Sequence, residues 1–200
     1  MTVSCATLAL TTAALVLASS WRGAASMKVS LELISVDVPN GQAANGRCCD
    51  SITFIRSCNC LICPALPYIH CDLKLYLCLE DADESNEDPN DCSTGFLSTG
   101  VLAYNTDYFV FSKDKTYGDV ANPKELSFDK ADAKLRIKYQ LYDYDRLNAN
   151  DHIATWSSIF NPIELAPLEP NKPTPTKVDY LARDGISTVQ VRFSLTKLED

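Results

Sequence analysis

The 200-residue chain reads as all-β, an antiparallel β-sandwich of about eight strands with a disulfide-rich insert. Three features carry that reading. Short alternating or β-branched runs recur along the chain and are broken by turn residues, the period-2 signature of half-buried strands. Stretches with helical periodicity are scarce. Nine cysteines are more than an ordinary cytosolic domain carries and point to an oxidising compartment.

The N-terminus stands apart from the sandwich. Leu8 to Ala18 is apolar or small, and Ala24-Ala25-Ser26 offers small residues for cleavage. Residues 1–26 are therefore expected to be a signal peptide and residues 27–200 the domain proper, secreted and extracellular. About 11 apolar residues are too few to cross a hydrocarbon core of ~30 Å. Cleavage removes Arg22 and Cys5, moves the formal net charge from −8 to −9 and leaves eight cysteines, an even number as a closed disulfide set requires. No Asn-x-Ser/Thr acceptor occurs, so N-glycosylation is not expected.

The strands follow in order. Lys28 to Val38 alternates and stops at Pro39-Asn40-Gly41, and Leu73 to Leu79 alternates again. Further runs lie at Val101 to Tyr104, Tyr108 to Phe111, Leu126 to Phe128, Leu135 to Tyr142, His152 to Trp156, Lys177 to Leu181 and Thr188 to Leu195. Trp156 to Phe160 could make one helical turn. Pro162 to Pro175 contains five prolines and reads as an extended crossover.

Three regions carry chemistry. The first is the insert holding Cys48, Cys49, Cys58, Cys60, Cys63, Cys71 and Cys78, with Cys92 beyond it. Cys60-x-x-Cys63 has the spacing of a zinc-thiolate pair, but a second well-spaced pair is missing, and disulfides are the favoured reading. Eight cysteines allow 105 pairings, and sequence does not choose among them. The second region is Glu80 to Asp91, with seven acidic residues in twelve. Calcium capture is one reading; a solvated, extended loop between strands is the favoured one.

The third region ends a strand with Asp143, Asp145 and Asp151. Residues two apart in extended backbone share a side, so Asp143 and Asp145 converge, and the turn through Asn150 can return Asp151 to them. An all-oxygen set of this kind suits calcium, which takes six to eight oxygens. It is not an EF-hand: the twelfth position from Asp143 is Ala154 rather than Glu, and the sixth is not Gly. A polar turn with no ion is the plainer alternative.

These residues also resemble a known pattern. Asp143 to Asp151 is similar to the third calcium-binding loop of a C2 domain, a hydrophobic strand followed by Asp-x-Asp-Arg and Asn-Asp. That likeness implies Asp143, Asp145 and Asp151 as calcium ligands, and Arg146 and Leu147 as a loop tip touching lipid head groups. Cys71 to Leu77 resembles the strand after the first loop, implying Asp72 as a fourth ligand, with Asp50 a candidate upstream. Ala154 stands where the C2 pattern usually has glycine. More specifically, the chain resembles the C2-like N-terminal domain of Notch ligands of the Delta, Serrate and Jagged type. The matching pieces are Leu31 to Val38, Asn45-Gly46-Arg47-Cys48-Cys49, Cys58-x-Cys60, Cys71 to Glu80, Asp91 to Gly95, and Asn122-Pro123 followed by Phe128. The resemblance implies a secreted module that takes Ca2+, binds anionic phospholipid head groups in peripheral contact with a membrane, contacts a Notch-type receptor ectodomain and modulates Notch signalling. In such ligands a cysteine-rich receptor-binding module, repeats and a membrane span normally follow, and this sequence stops at Asp200 before any of them.

Other functions find less support. The formal charge of −8 leaves no basic face for nucleic acid. With two histidines, His70 and His152, and no Gly-x-Ser-x-Gly, His-Glu-x-x-His or phosphate-cradling glycine loop, the chain is not expected to be an enzyme. The competing reading is a secreted, disulfide-rich structural or toxin-like β-sandwich without calcium-dependent binding.

Overall fold

The computed structural model describes residues 26–38, 43–44, 49, 70–145, 149–161, 171–183 and 187–199. Among them are eleven strands and no helix. They are β1 (Met27–Asp37), β2 (Leu73–Asp81), β3 (Leu97–Ala103), β4 (Tyr108–Val110), β5 (Lys115–Tyr117), β6 (Val120–Asn122), β7 (Lys124–Phe128), β8 (Leu135–Asp143), β9 (Asp151–Phe160), β10 (Lys177–Arg183) and β11 (Ser187–Lys197).

One sheet runs β10-β11-β1-β4 with β7 also on β1, and a four-stranded sheet runs β3-β2-β8-β9. All these pairings are antiparallel. The alternation sets which face is buried. Leu73, Leu75 and Leu77 on β2 meet Leu135, Ile137, Tyr139 and Leu141 on β8, all at most 1% exposed. Val29, Leu31 and Leu33 on β1, with Val191, Phe193 and Leu195 on β11, supply the opposing layer. Phe160 of β9 reaches across to Phe193 of β11, ring centroids 4.9 Å apart.

Three expectations are corrected. Trp156 to Phe160 is not a helical turn: it continues β9 to Phe160, with Trp156 stacked on Tyr139 of the neighbouring strand at 4.5 Å. The strand count exceeds eight or nine because β5 and β6 form an additional hairpin of three-residue strands. Its turn is Gly118-Asp119, and Gly118 is required there. Its φ is +54°, and a Cβ would lie 2.3 Å from the Ser98 carbonyl oxygen of β3.

The acidic run is the third correction. Glu80 lies within β2, and the chain after it turns back over the sheet instead of extending. The outward positions of β2 and β8 explain this. Cys78 faces Lys138 in register, and the Cys78–Cys92 disulfide closes the loop above them. Lys138 is fully buried and sits 3.0 Å from Glu80 Oε2. It also donates to Asn86 Oδ1 at 3.1 Å and to the Asp91 carbonyl. Ser93 donates its N–H and hydroxyl to Glu80 Oε1 at 2.6 and 2.7 Å. Burial opposes ionisation of Glu80, but the bonds from Ser93 and Lys138 outweigh it and hold its pKa below the ordinary value. Of the carboxylates in this run only Glu80 meets the buried ammonium; Asp83, Glu84, Glu87, Asp88 and Asp91 are exposed, so the loop is solvated as expected although it turns back.

A second long-range device completes β1. β7 pairs with Met27 to Leu31 and β4 with Ser35 to Asp37, leaving Leu33 between them on that edge. The buried Asn122 side chain fills the gap like a peptide unit. Leu33 N–H donates to its Oδ1 at 2.7 Å, and its Nδ2 donates to the Leu33 carbonyl at 3.0 Å. Asn122→Ala strands both backbone groups and should cost roughly 2–4 kcal/mol in denaturant unfolding. A loss below about 0.5 kcal/mol, the usual surface range, would contradict this role.

Candidate metal centre

The C-terminal end of β8 and the N-terminal end of β9 meet at one end of the sandwich. Asp143 and Asp151 are register partners there, across a ladder whose spacing shifts between Leu141 and Tyr142. On β8, Asp143 continues the inward series of Tyr139 and Leu141, so its carboxyl is fully buried at the mouth of the core. Asp145 lies beyond the strand end, and its N–H donates to Asn150 Oδ1 at 3.3 Å, closing the loop on itself.

One carboxylate oxygen from each of Asp143, Asp145 and Asp151 lies within 4.8 Å of the others. Calcium–oxygen bonds of about 2.3–2.6 Å put two ligands of one ion at most ~5 Å apart, so the spacing fits that ion. An all-carboxylate donor set belongs to hard cations rather than to zinc or copper. Desolvation, then the charges of Asp151 and Asp72, raise the Asp145 pKa. A bound divalent cation would remove that repulsion.

Asp72, the expected fourth ligand, stands beside the trio, but its carboxylate is not among those that gather within 4.8 Å. Its N–H donates to Asp143 Oδ1 at 2.6 Å, its carbonyl accepts from Tyr144 N–H at 2.8 Å, and its Oδ1 accepts from Asn105 N–H at 2.7 Å. Arg146 and Leu147, the expected loop tip, and Asp50 lie outside the described residues. Of the cysteines, Cys49 is bonded to Cys71, next to Asp72, and Cys78 to Cys92; Cys48, Cys58, Cys60 and Cys63 lie outside the described residues. Cys78, Glu80 and Cys92 also form a close group, but with both sulfurs in one disulfide it offers no thiolates for a metal.

Sequence reasoning passed over the loop between β3 and β4. Asn105 and Thr106 bond Asp72 and Cys71, and Asp107 binds both Cys71 N–H and His70. No spacing pattern reports contacts more than thirty residues apart.

Comparison with known proteins now decides the family. The profile described as N terminus of Notch ligand C2-like domain matches residues 26–132. The chain belongs to this Notch-ligand family. The match covers β1 to β7 and Asp72, and it stops ahead of β8, so the trio at 143–151 is an observation independent of it. Among solved structures, a Drosophila C2-DSL-EGF1 shares 15% identity at TM-score 0.55, over 88% of this chain and 68% of that one. A C2 domain protein from Ramazzottius varieornatus shares 16% at TM-score 0.53, over 88% and 91%. Human GIVD cytosolic phospholipase A2 is more distant, at 12% and TM-score 0.45, and the Notch-ligand domain spans 18% of that chain. No curated protein sequence matches.

The domain is thus a C2-like antiparallel β-sandwich of a ligand family, which is a family of binding modules and not of enzymes. Family membership implies a Notch-type receptor as partner, and with the disulfides it fits an extracellular or cell-surface protein.

Proposed function

We propose that this Notch-ligand domain is a secreted, calcium-dependent binding module that docks on anionic phospholipid head groups and on a Notch-type receptor ectodomain, and so modulates Notch signalling. The observation that carries this reading is the mutual approach of Asp143, Asp145 and Asp151 to within 4.8 Å. Three carboxylates, with Asp72 beside them, make the tip repel phosphate. Each Ca2+ adds two positive charges and offers unfilled coordination positions to a phosphate oxygen. Arg146 and Leu147 would supply a cationic and an apolar contact to the lipid. Residues 1–26 would direct the chain to the secretory route and be removed.

Calorimetric titration with calcium tests the site. Extracellular modules bind at about 10⁻⁴ to 10⁻³ M, and saturation in that range is expected here. Asp145→Asn removes one charged ligand and should weaken binding by at least about tenfold, on the order of one lost charge-assisted contact. Equal affinity in the two proteins would show that Asp145 is not a ligand.

A further inference from the structure

We propose that Asp107 is a positioning residue of this centre: it holds Asp72 against the trio through the backbone of Cys71, without binding the ion itself. The inference rests on the calcium reading above and extends it to the loop between β3 and β4. Every backbone polar atom of Cys71-Asp72 is held. Cys71 N–H donates to Asp107 Oδ1 at 3.2 Å, and the Cys71 carbonyl accepts from Thr106 N–H at 2.9 Å. Asp72 N–H and carbonyl are held by Asp143 and Tyr144, as described above.

Asp107 anchors the whole clasp. Its second oxygen lies 2.9 Å from His70 Nδ1, and its own carbonyl accepts from Val38 N–H at 2.7 Å at the end of β1. Both carboxylate oxygens of Asp107 are therefore engaged by protein groups. Asn105 takes a positive φ of 52°, tolerated by asparagine, and its N–H donates to Asp72 Oδ1. The loop that Asp107 fastens thus orients the Asp72 carboxylate, while the Cys49–Cys71 disulfide secures the same point from the other side.

Groups that orient metal ligands typically contribute 10–100-fold to affinity. The test is calcium titration of the oxidised chain and its variants, with calcium alone as the probe. Asp107→Ala should weaken binding about tenfold or more. Asp107→Asn keeps the acceptor for Cys71 N–H while removing the charge, and should bind within about threefold of the parent, since the side chain makes no direct contact with the ion. In an Asp72→Asn background, adding Asp107→Ala should cost less than about twofold, because the two act through one contact. Full affinity in Asp107→Ala overturns the proposal. So does an equal loss in Asp107→Asn, which would make the effect one of charge, and so do multiplying losses in the double variant. Should Asp107→Ala not fold, Asp107→Ser replaces it with the same expectations. A parent that binds no calcium overturns the calcium reading itself, a result distinct from any of these.

Discussion

Lys138→Met should lower the unfolding free energy by about 3–5 kcal/mol, because it leaves the Glu80 carboxylate buried without its counter-charge. The two side chains are 0% and 3% exposed and 3.0 Å apart, so solvent does little to screen the loss. The variant should also free the loop after β2, since Asn86 and the Asp91 carbonyl lose their shared donor. Adding Glu80→Gln to Lys138→Met should restore much of the stability by removing the stranded charge. The pH dependence has a definite sign. The Glu80 pKa is depressed by folding, so its contribution is fully present above the ordinary value of 4.5 and is lost as pH falls through the folded value. In Lys138→Met the lysine's bond and attraction are gone while those from Ser93 remain, so the Glu80 pKa rises relative to the parent and the stability gap between parent and variant narrows in acid. Urea unfolding at neutral and acid pH checks both statements. A gap below about 1 kcal/mol at neutral pH, the range of an exposed pair, would mean that solvent reaches the pair.

Calcium should have a comparable effect of opposite sign at the other end of the sandwich. With a dissociation constant of about 10⁻⁴ to 10⁻³ M, 10 mM calcium stabilises the fold by roughly 1.4–2.7 kcal/mol through mass action. For a chain of this size that is a rise of about 3–10 °C in melting temperature. Asp145→Asn should respond differently in the two conditions. In chelator it should melt no lower than the parent, because it removes a group whose charge is opposed by desolvation and by Asp151 and Asp72. In calcium it should gain much less than the parent. A parent melting temperature that ignores calcium would leave the aspartates as turn residues.

The trio was legible from sequence because alternation on β8 and one short loop place all three carboxylates, and both are local properties. The sandwich was legible for the same reason. The β5–β6 hairpin was readable in principle from Gly118-Asp119 between two short runs, but three residues carry almost no periodicity. Trp156 to Phe160 was misplaced because an aromatic-bounded run of five fits helix and strand alike until Trp156 meets Tyr139. The burial of Lys138 could not be read. Alternation puts it on the outward face, and only the Cys78–Cys92 pairing, one of many open to eight cysteines, folds the acidic loop over it. Asn122 and Asp107 were equally silent, since their partners lie 89 and 36 residues away.

The central claim is that calcium converts an acidic tip into one that accepts lipid phosphate. Co-sedimentation of the oxidised domain with phosphatidylserine vesicles, in millimolar calcium and then in chelator, tests it most directly. Pelleting in calcium, release by chelator and little pelleting of Asp145→Asn are the predicted results. A domain that stays in the supernatant in both conditions, or pellets equally in both, would contradict the claim.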